Sequence, residues 1–137
     1  PLIHSVDSEK LLRLIDSEAR RISRRVDILL QIHVAREETK FGFSPDELQQ
    51  MLADIDFKSL EGIRVRGIMG MASNVDDRQR ITDDFNRLAQ CYQITRNTLG
   101  QDCDILSMGM SHDYQLAIEA GSNMIRVGSY IFGDRTY

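Results

Sequence analysis

The amino-acid sequence predicts an α/β fold built around a parallel sheet. Short runs rich in β-branched residues alternate with longer segments of helical periodicity, as in consecutive βα units. The chain has 137 residues, of which 42% are hydrophobic and 28% are charged, and this composition suits one globular domain with one core. We therefore interpret residues 1–137 as a single domain without internal repeats or linkers.

The first half of the chain carries the signals for two strands and two helices. A short strand is expected at residues 2–5, followed by a helix that Ser8 caps. Residues 26–34 (VDILLQIHV) give the clearest strand, with alternate apolar residues on one face. The second helix begins at Ser44-Pro45, because a capping serine, a proline at the first helical position and Glu47 at the third make a capping box.

The second half predicts three more strands, at residues 63–69, 104–108 and 124–128. Between them, residues 76–99 form a long helix that Gly100 ends, and Ser111 caps a short helix that runs to Ala120 and stops at Gly121. This order fits either a free-standing flavodoxin-like sheet or part of an eight-unit barrel, and periodicity does not choose between them. The lack of a helix after the fifth strand favours the barrel slightly.

Charge and composition exclude several classes of function. The net charge is -4 and the pI is near 5.3, which gives no general argument for nucleic-acid binding. No apolar run has membrane-spanning length and no signal peptide is evident, so we expect a cytoplasmic protein. Cys91 and Cys103 are expected to be reduced thiols. Because the chain starts at Pro1 rather than Met, we expect a fragment or a processed chain.

Two turns beyond the carboxyl ends of strands have the chemistry of a phosphate site. Ser111 stands at a predicted helix start, where free backbone N–H groups stabilise an anion. Gly128-Ser129 follows the last strand, and glycine lets a phosphate approach backbone amides closely. Each turn alone is typical of ordinary turns. When both turns occur at consecutive strand ends, a phosphate site is as good an interpretation as two ordinary turns.

Side chains near the same strand ends offer contacts for a flat ring. Arg126 lies in the last predicted strand and is either a ligand contact or half of a salt bridge. Met71, like other methionines at strand ends, is either a flexible core filler or a soft apolar wall beside a ring. His4 and His33 have no third ligand at useful spacing, so we predict no metal site.

Five segments carry a more specific pattern. They are residues 3–8 (IHSVDS), 38–43 (ETKFGF), 68–73 (IMGMAS), 106–111 (LSMGMS) and 125–133 (IRVGSYIFG). Together they resemble the pyridoxal-phosphate homeostasis proteins, which are relatives of the N-terminal barrel of alanine racemase. The resemblance runs the length of the chain. It implies a (β/α)8 TIM barrel, of which this chain covers about the last five strands and four helices.

The resemblance also implies a site for pyridoxal 5'-phosphate (PLP). By analogy with the family, Ser111, Gly128 and Ser129 hold the phosphate, Arg126 faces the pyridine nitrogen, and Met71 forms a wall beside the ring. An arginine at the ring nitrogen leaves it unprotonated and weakens the cofactor as an electron sink. The implied function is PLP binding and homeostasis without catalysis.

The family's Schiff-base lysine is expected to precede this chain, at the end of the first barrel strand. Lys10 follows a helix cap, Lys40 lies in a loop and Lys58 ends a helix. Covalent attachment, in contrast, needs a desolvated amine held on a strand. We therefore expect phosphate and ring contacts only. Exposed barrel edges would favour pairing with a missing N-terminal segment or a second copy in a dimer.

Two other functions stay open at this point. A PLP-dependent amino-acid racemase would need catalytic bases on both faces of the cofactor, and no tyrosine here has an obvious second-base position. A free-standing flavodoxin-like binding domain would need to fold cooperatively by itself.

Overall fold

The four described strands form one parallel sheet with helices between them. A computed structural model describes residues 2–34, 42–72, 76–100, 102–110 and 113–125. The strands are β1 (Leu2–Val6), β2 (Val26–His33), β3 (Ile63–Met71) and β4 (Ile105–Met108). The helices are α1 (Glu9–Arg21), α2 (Pro45–Asp54), α3 (Arg78–Leu99) and α4 (Tyr114–Glu119), with a 3₁₀ turn at Phe57–Ser59. The predicted α/β class is confirmed.

The strands lie in the sheet in the order in which they occur in the sequence. Each is parallel to the next, from β1 through β2 and β3 to β4. A flavodoxin-like sheet would place the first strand between the second and the third. The flavodoxin-like alternative is therefore wrong for these four strands.

Local capping signals predicted the helix ends well. The Ser8 hydroxyl accepts a hydrogen bond from the Leu11 N–H at 3.2 Å. The capping box at α2 is complete, because Ser44 Oγ accepts from the Glu47 N–H at 3.1 Å and Glu47 Oε1 accepts from the Ser44 N–H at 2.9 Å. Gly100 ends α3 with a φ of 97°, which only glycine adopts readily.

The predicted start of the last helix was wrong. α4 begins at Tyr114, and its N-cap position is Asp113 rather than Ser111. The physical reason is a tight turn that precedes the helix: Asp113 Oδ1 accepts from the Met110 N–H at 2.7 Å, and the Asp113 N–H donates to the Met110 carbonyl at 3.2 Å. Of the predicted fifth strand, only a parallel bridge between Ser107 and Met124 falls within the described residues.

The helices cover one face of the sheet and create the main core. Ile28, Leu30, Ile68, Phe85 and Leu88 are fully buried in it. Each such side chain contributes about 1.5–3 kcal/mol relative to an exposed position. A Cβ on Gly70 would lie 2.4 Å from Leu88 Cδ2, so α3 packs directly on β3 at this glycine. None of the described helices is both long and apolar enough to cross a membrane.

The opposite face of the sheet is also partly buried. Leu29 and Gln31 in β2 are only 0% and 8% exposed, although the pattern predicted one apolar face for this strand. Strands buried on both faces are usual in parallel sheets, and their sequences rarely alternate cleanly. This second face leads up to the carboxyl ends of the strands, where function was predicted.

A bulge in β3 organises the amino ends of the strands. Gly67 has a φ of 152°, and a Cβ there would lie 1.7 Å from the Ile105 carbonyl oxygen. The irregular register lets Arg64 and Arg66 both reach Asp27, at 2.8 and 3.2 Å. These contacts tie β2 to β3 at the end of the sheet away from the predicted site.

Candidate functional site

The sequence predicts the site beyond the carboxyl ends of the parallel strands. β2 ends at His33, β3 at Met71 and β4 at Met108, and parallel strands bring their carboxyl ends to a common edge. Of the five predicted site residues, Met71 is described at this edge. The other four, Ser111, Arg126, Gly128 and Ser129, lie outside the described residues. The structure does show the segments that lead to them.

The described residues that flank Ser111 make close contacts after β4. Gly109 has a φ of 102°, and a Cβ there would lie 2.6 Å from Ala117 Cβ, so α4 packs against the turn at glycine distance. Beyond it, Asp113 accepts from the Met110 N–H at 2.7 Å. The carboxylate of Asp113 thus closes the turn instead of capping α4. This role of Asp113 was not predicted; its carboxylate accepts from the N–H three residues earlier, as the Glu of a capping box does.

The segment before Arg126 is held beside β4 by side chains that hydrogen-bond to the backbone of residues 104, 106 and 108. The Leu106 N–H donates to Asn123 Oδ1 at 2.7 Å, and Asn123 Nδ2 donates to the Asp104 carbonyl at 2.8 Å. Ser122 Oγ lies 2.8 Å from the Met108 carbonyl oxygen and can donate to it. Backbone pairing with β4 begins at the next residue, Met124. Asn123 and Ser122 were not among the predicted residues.

Backbone hydrogen bonds then place the two segments side by side. The Met108 N–H donates to the Met124 carbonyl at 3.1 Å, and the Met124 N–H donates to the Leu106 carbonyl at 3.3 Å. This is the parallel bridge that pairs Ser107 with Met124. Met124 therefore lies beside Ser107 in a parallel arrangement with β4.

Met71 presents apolar surface at the same edge. It is 44% exposed although it ends a central strand, and it pairs with His33 in the sheet register. Position 70 faces α3, so position 71 lies on the face away from the helices. Ser107 in β4 lies on the same face. Its hydroxyl is buried and has no hydrogen-bond partner among the described residues. An apolar wall and a free polar atom fit a ring with polar substituents.

Other reactive groups in the described part of the chain lie elsewhere. Lys10 is exposed on α1, and Lys58 lies in the 3₁₀ turn before β3, while Lys40 is outside the described residues. Burial raises the pKa of both Cys91 and Cys103 to about 11, so neither thiol ionises readily at neutral pH. The described residues contain no group of three or more side chains that could hold a metal ion.

The amino ends of the strands carry a charged network with a structural role. The hydrogen bond from Arg64, assisted by Arg66, lowers the pKa of Asp27 against the effect of burial. Asp104 raises the pKa of Arg66 in the same way, through a contact of 2.9 Å. A cavity of about 380 Å³ also lies at this end, between the ends of α2 and α3. Both features are remote from the carboxyl edge.

Comparisons with known proteins identify the family of the chain. The sequence model of the family described as "Alanine racemase, N-terminal domain" matches residues 1–136. A pyridoxal phosphate homeostasis protein of Vibrio cholerae is 39% identical over 137 residues, which cover 98% of this chain and 56% of that protein. A protein of the same name from Helicobacter pylori is 32% identical, covering 96% of this chain and 56% of that protein. The chain thus spans little more than half the length of these curated relatives.

Solved structures show the same fold. The structure of PipY of Synechococcus elongatus with PLP bound superposes with a TM-score of 0.79 at 28% identity, covering 96% of this chain and 60% of that one. An unknown protein from Bifidobacterium adolescentis gives a TM-score of 0.83 at 31% identity, covering 96% of this chain and 52% of that one. Alanine racemase of Clostridium difficile in complex with cycloserine shares the fold, with a TM-score of 0.70 at 15% identity over 99% of this chain and 36% of that one. By its sequence match and its fold, the chain belongs to the alanine racemase N-terminal domain family, among relatives named pyridoxal phosphate homeostasis protein.

Proposed function

We propose that the protein binds PLP and takes part in PLP homeostasis in the cytoplasm without catalysing a reaction. The observation that carries this proposal is the pairing of Met124 with β4, which starts the two predicted phosphate-binding segments side by side. The names of the relatives and the PLP bound to PipY support the choice of ligand.

In this proposal, the phosphate lies between the turn at Ser111 and the turn at Gly128-Ser129. Ser111 is three residues beyond Met108, the last residue of β4. Gly128 is four residues beyond Met124, which pairs with that strand. Amide groups from both turns would then point at one dianion, and such converging donors are the usual way in which proteins bind phosphate.

The proposed ring contacts follow from strand periodicity. Met124 pairs with Ser107, on the face away from the helices. Two residues further along an extended chain, the side chain of Arg126 would return to that face. Arg126 would then lie beside Gly109, near the end of the sheet where Met71 of β3 pairs with His33 of β2. Arg126 would contact the pyridine nitrogen from there, and Met71 would cover part of the ring.

We propose further that residues 1–137 form one domain that is part of a (β/α)8 TIM barrel, namely about its last five strands and four helices. The sequential order of the described strands and the likeness to the fold of alanine racemase support the barrel. Within the described residues, β1 pairs on one side only, with β2. A further strand from the remainder of such a barrel, or from a second copy in a dimer, would complete it.

The proposal assigns noncovalent contacts to this chain. When bound, PLP supplies an aldehyde and an electron-withdrawing ring. Neither described lysine lies at the carboxyl edge, since Lys10 is on α1 and Lys58 precedes β3. The residues of this chain would hold the phosphate, orient the ring and keep its nitrogen unprotonated, which weakens the ring as an electron sink.

Titration of the intact protein with PLP tests the proposal. Arg126→Ala should change the visible absorbance of the bound cofactor and weaken binding by about 1–3 kcal/mol, because a charged hydrogen bond is lost. Ser111→Ala should weaken binding less, since backbone donors remain. Arg13→Ala, on the exposed side of α1, is the matched control and should change neither quantity. Unchanged affinity and spectrum in the Arg126 variant would contradict the assignment.

The non-catalytic part of the proposal has its own assay. Intact protein loaded with PLP is incubated with D-alanine and, separately, with L-alanine. We expect no interconversion above that of free PLP, because a racemase needs a base on each face of the cofactor. Enzyme-dependent racemisation would establish the alternative, an amino-acid racemase.

A further inference from the structure

Ser107 in β4 is a buried polar residue whose side chain has no hydrogen-bond partner among the described residues. The residue is 0% exposed, and its hydroxyl oxygen contacts no hydrogen-bond partner in the described part of the chain. By contrast, the equally buried Thr95 hydroxyl donates to the Cys91 carbonyl at 2.8 Å. An unsatisfied buried hydroxyl is costly and uncommon in a folded protein, so its presence calls for a partner.

The residues beside Ser107 in the sheet supply no strong acceptor. Ser107 pairs with Met69 of β3 on one side and with Met124 on the other. A thioether is only a weak acceptor. In extended backbone, a serine also cannot donate to the carbonyl four residues earlier, as threonine does in a helix. The described sheet neighbours of Ser107 therefore offer it no strong acceptor, which leaves the space above the sheet for a partner.

The hydroxyl lies on the ligand side of the sheet. Leu106 and Met108 belong to the core beneath the helices, so Ser107, between them, points to the other face. Its partner Met69 precedes the exposed Met71 by two residues, which is about 6.6 Å along a strand. Ser107 and Met69 thus lie side by side, two residues before the carboxyl edge at which PLP is proposed to bind.

We infer that Ser107 is a further ligand-binding residue. Its hydroxyl donates to a polar substituent of the bound pyridine ring, either directly or through one ordered water that the ring holds in place. This inference rests on the proposed function, because it requires PLP at the carboxyl edge. Its consequence is a trade between stability and binding: without ligand the hydroxyl has no partner among the described residues, and the ligand supplies one.

The test compares Ser107→Ala with wild type in the intact protein, in two measurements. Without PLP, thermal unfolding of the variant should shift upward by about 2–4 °C, because the unsatisfied hydroxyl is gone. With PLP, the dissociation constant should rise about tenfold, because the ligand loses one hydrogen bond. Ser59→Ala is the control: its hydroxyl already donates to the Asp56 carbonyl at 2.7 Å, remote from the carboxyl edge. It should not change PLP affinity or raise the unfolding temperature.

Each other outcome overturns the inference in a recognisable way. A lower unfolding temperature for Ser107→Ala would mean that the hydroxyl has a partner within the protein. Unchanged affinity, with wild type binding PLP normally, would remove Ser107 from the site and leave the proposed function intact. Absence of binding by wild type would reject the proposed function and this inference together. If Ser107→Ala fails to fold, Ser107→Cys keeps the shape of the side chain with a weak donor and should still bind PLP more weakly than wild type.

Discussion

Asn123 offers the sharpest test of how the two halves of the candidate site are held together. Its side chain accepts from the Leu106 N–H at 2.7 Å and donates to the Asp104 carbonyl at 2.8 Å. The first bond is partly buried, so losing it leaves a backbone donor poorly satisfied and costs about 1–1.5 kcal/mol. The second bond is exposed, and water can replace it at a cost of about 0.5 kcal/mol. Asn123→Ala should therefore lower the free energy of unfolding by about 1.5–2 kcal/mol.

Urea unfolding of the intact protein measures this change. The matched control is Asn97→Ala, which removes only an exposed bond from Gln93 on the surface of α3 and should change stability by no more than about 0.5 kcal/mol. Because Asn123 anchors the segment that leads to Arg126, PLP affinity should fall as well. A loss of stability below about 0.5 kcal/mol in Asn123→Ala would refute the reasoning, since the side chain would then carry no part of the pairing with β4.

Three further predictions concern the rest of the fold. Arginine contacts hold the pKa of Asp27 below its ordinary 3.8, so its stabilising effect is present above that pH and is lost as the pH falls through the lowered pKa. Asp27→Asn should thus be less stable than wild type at pH 7, and the difference in unfolding free energy should shrink below about pH 3.8; a pH-independent difference would contradict this. Cys91 and Cys103, with pKa values of about 11, should react with a thiol reagent at pH 8 only after unfolding, and rapid labelling of native protein would show that they are not buried. Gly67→Ala should abolish native folding or cost more than about 3 kcal/mol, because its Cβ would overlap the Ile105 carbonyl; near-normal stability by circular dichroism would show that the bulge can relax.

Features that depend on neighbours in the sequence were predicted well. The capping box at Ser44 and the helix stop at Gly100 each rest on a few adjacent residues, and both are confirmed. The α/β class followed from the alternation of periods. The start of α4 was wrong because both Ser111 and Asp113 are good capping residues. Only the contact between the Asp113 carboxylate and the Met110 N–H decides between them.

Features that depend on strand partners could not be predicted. The Asn123 side chain hydrogen-bonds to the backbone of Leu106 and Asp104 only because β4 lies beside it. The meeting of Arg64 and Arg66 at Asp27 needs the bulge at Gly67, which shifts the alternation of β3. The choice between flavodoxin-like and sequential strand order is likewise a property of the whole sheet. Local periodicity contains none of this information.

A crystal structure of the intact protein grown with PLP would show whether these two turns and Arg126 bind the cofactor. We expect electron density for the phosphate between the turn at Ser111 and the turn at Gly128-Ser129, with the Arg126 guanidinium within hydrogen-bond distance of the pyridine nitrogen. A cofactor bound elsewhere, or an Arg126 side chain directed into solvent while these two turns diverge, would contradict it.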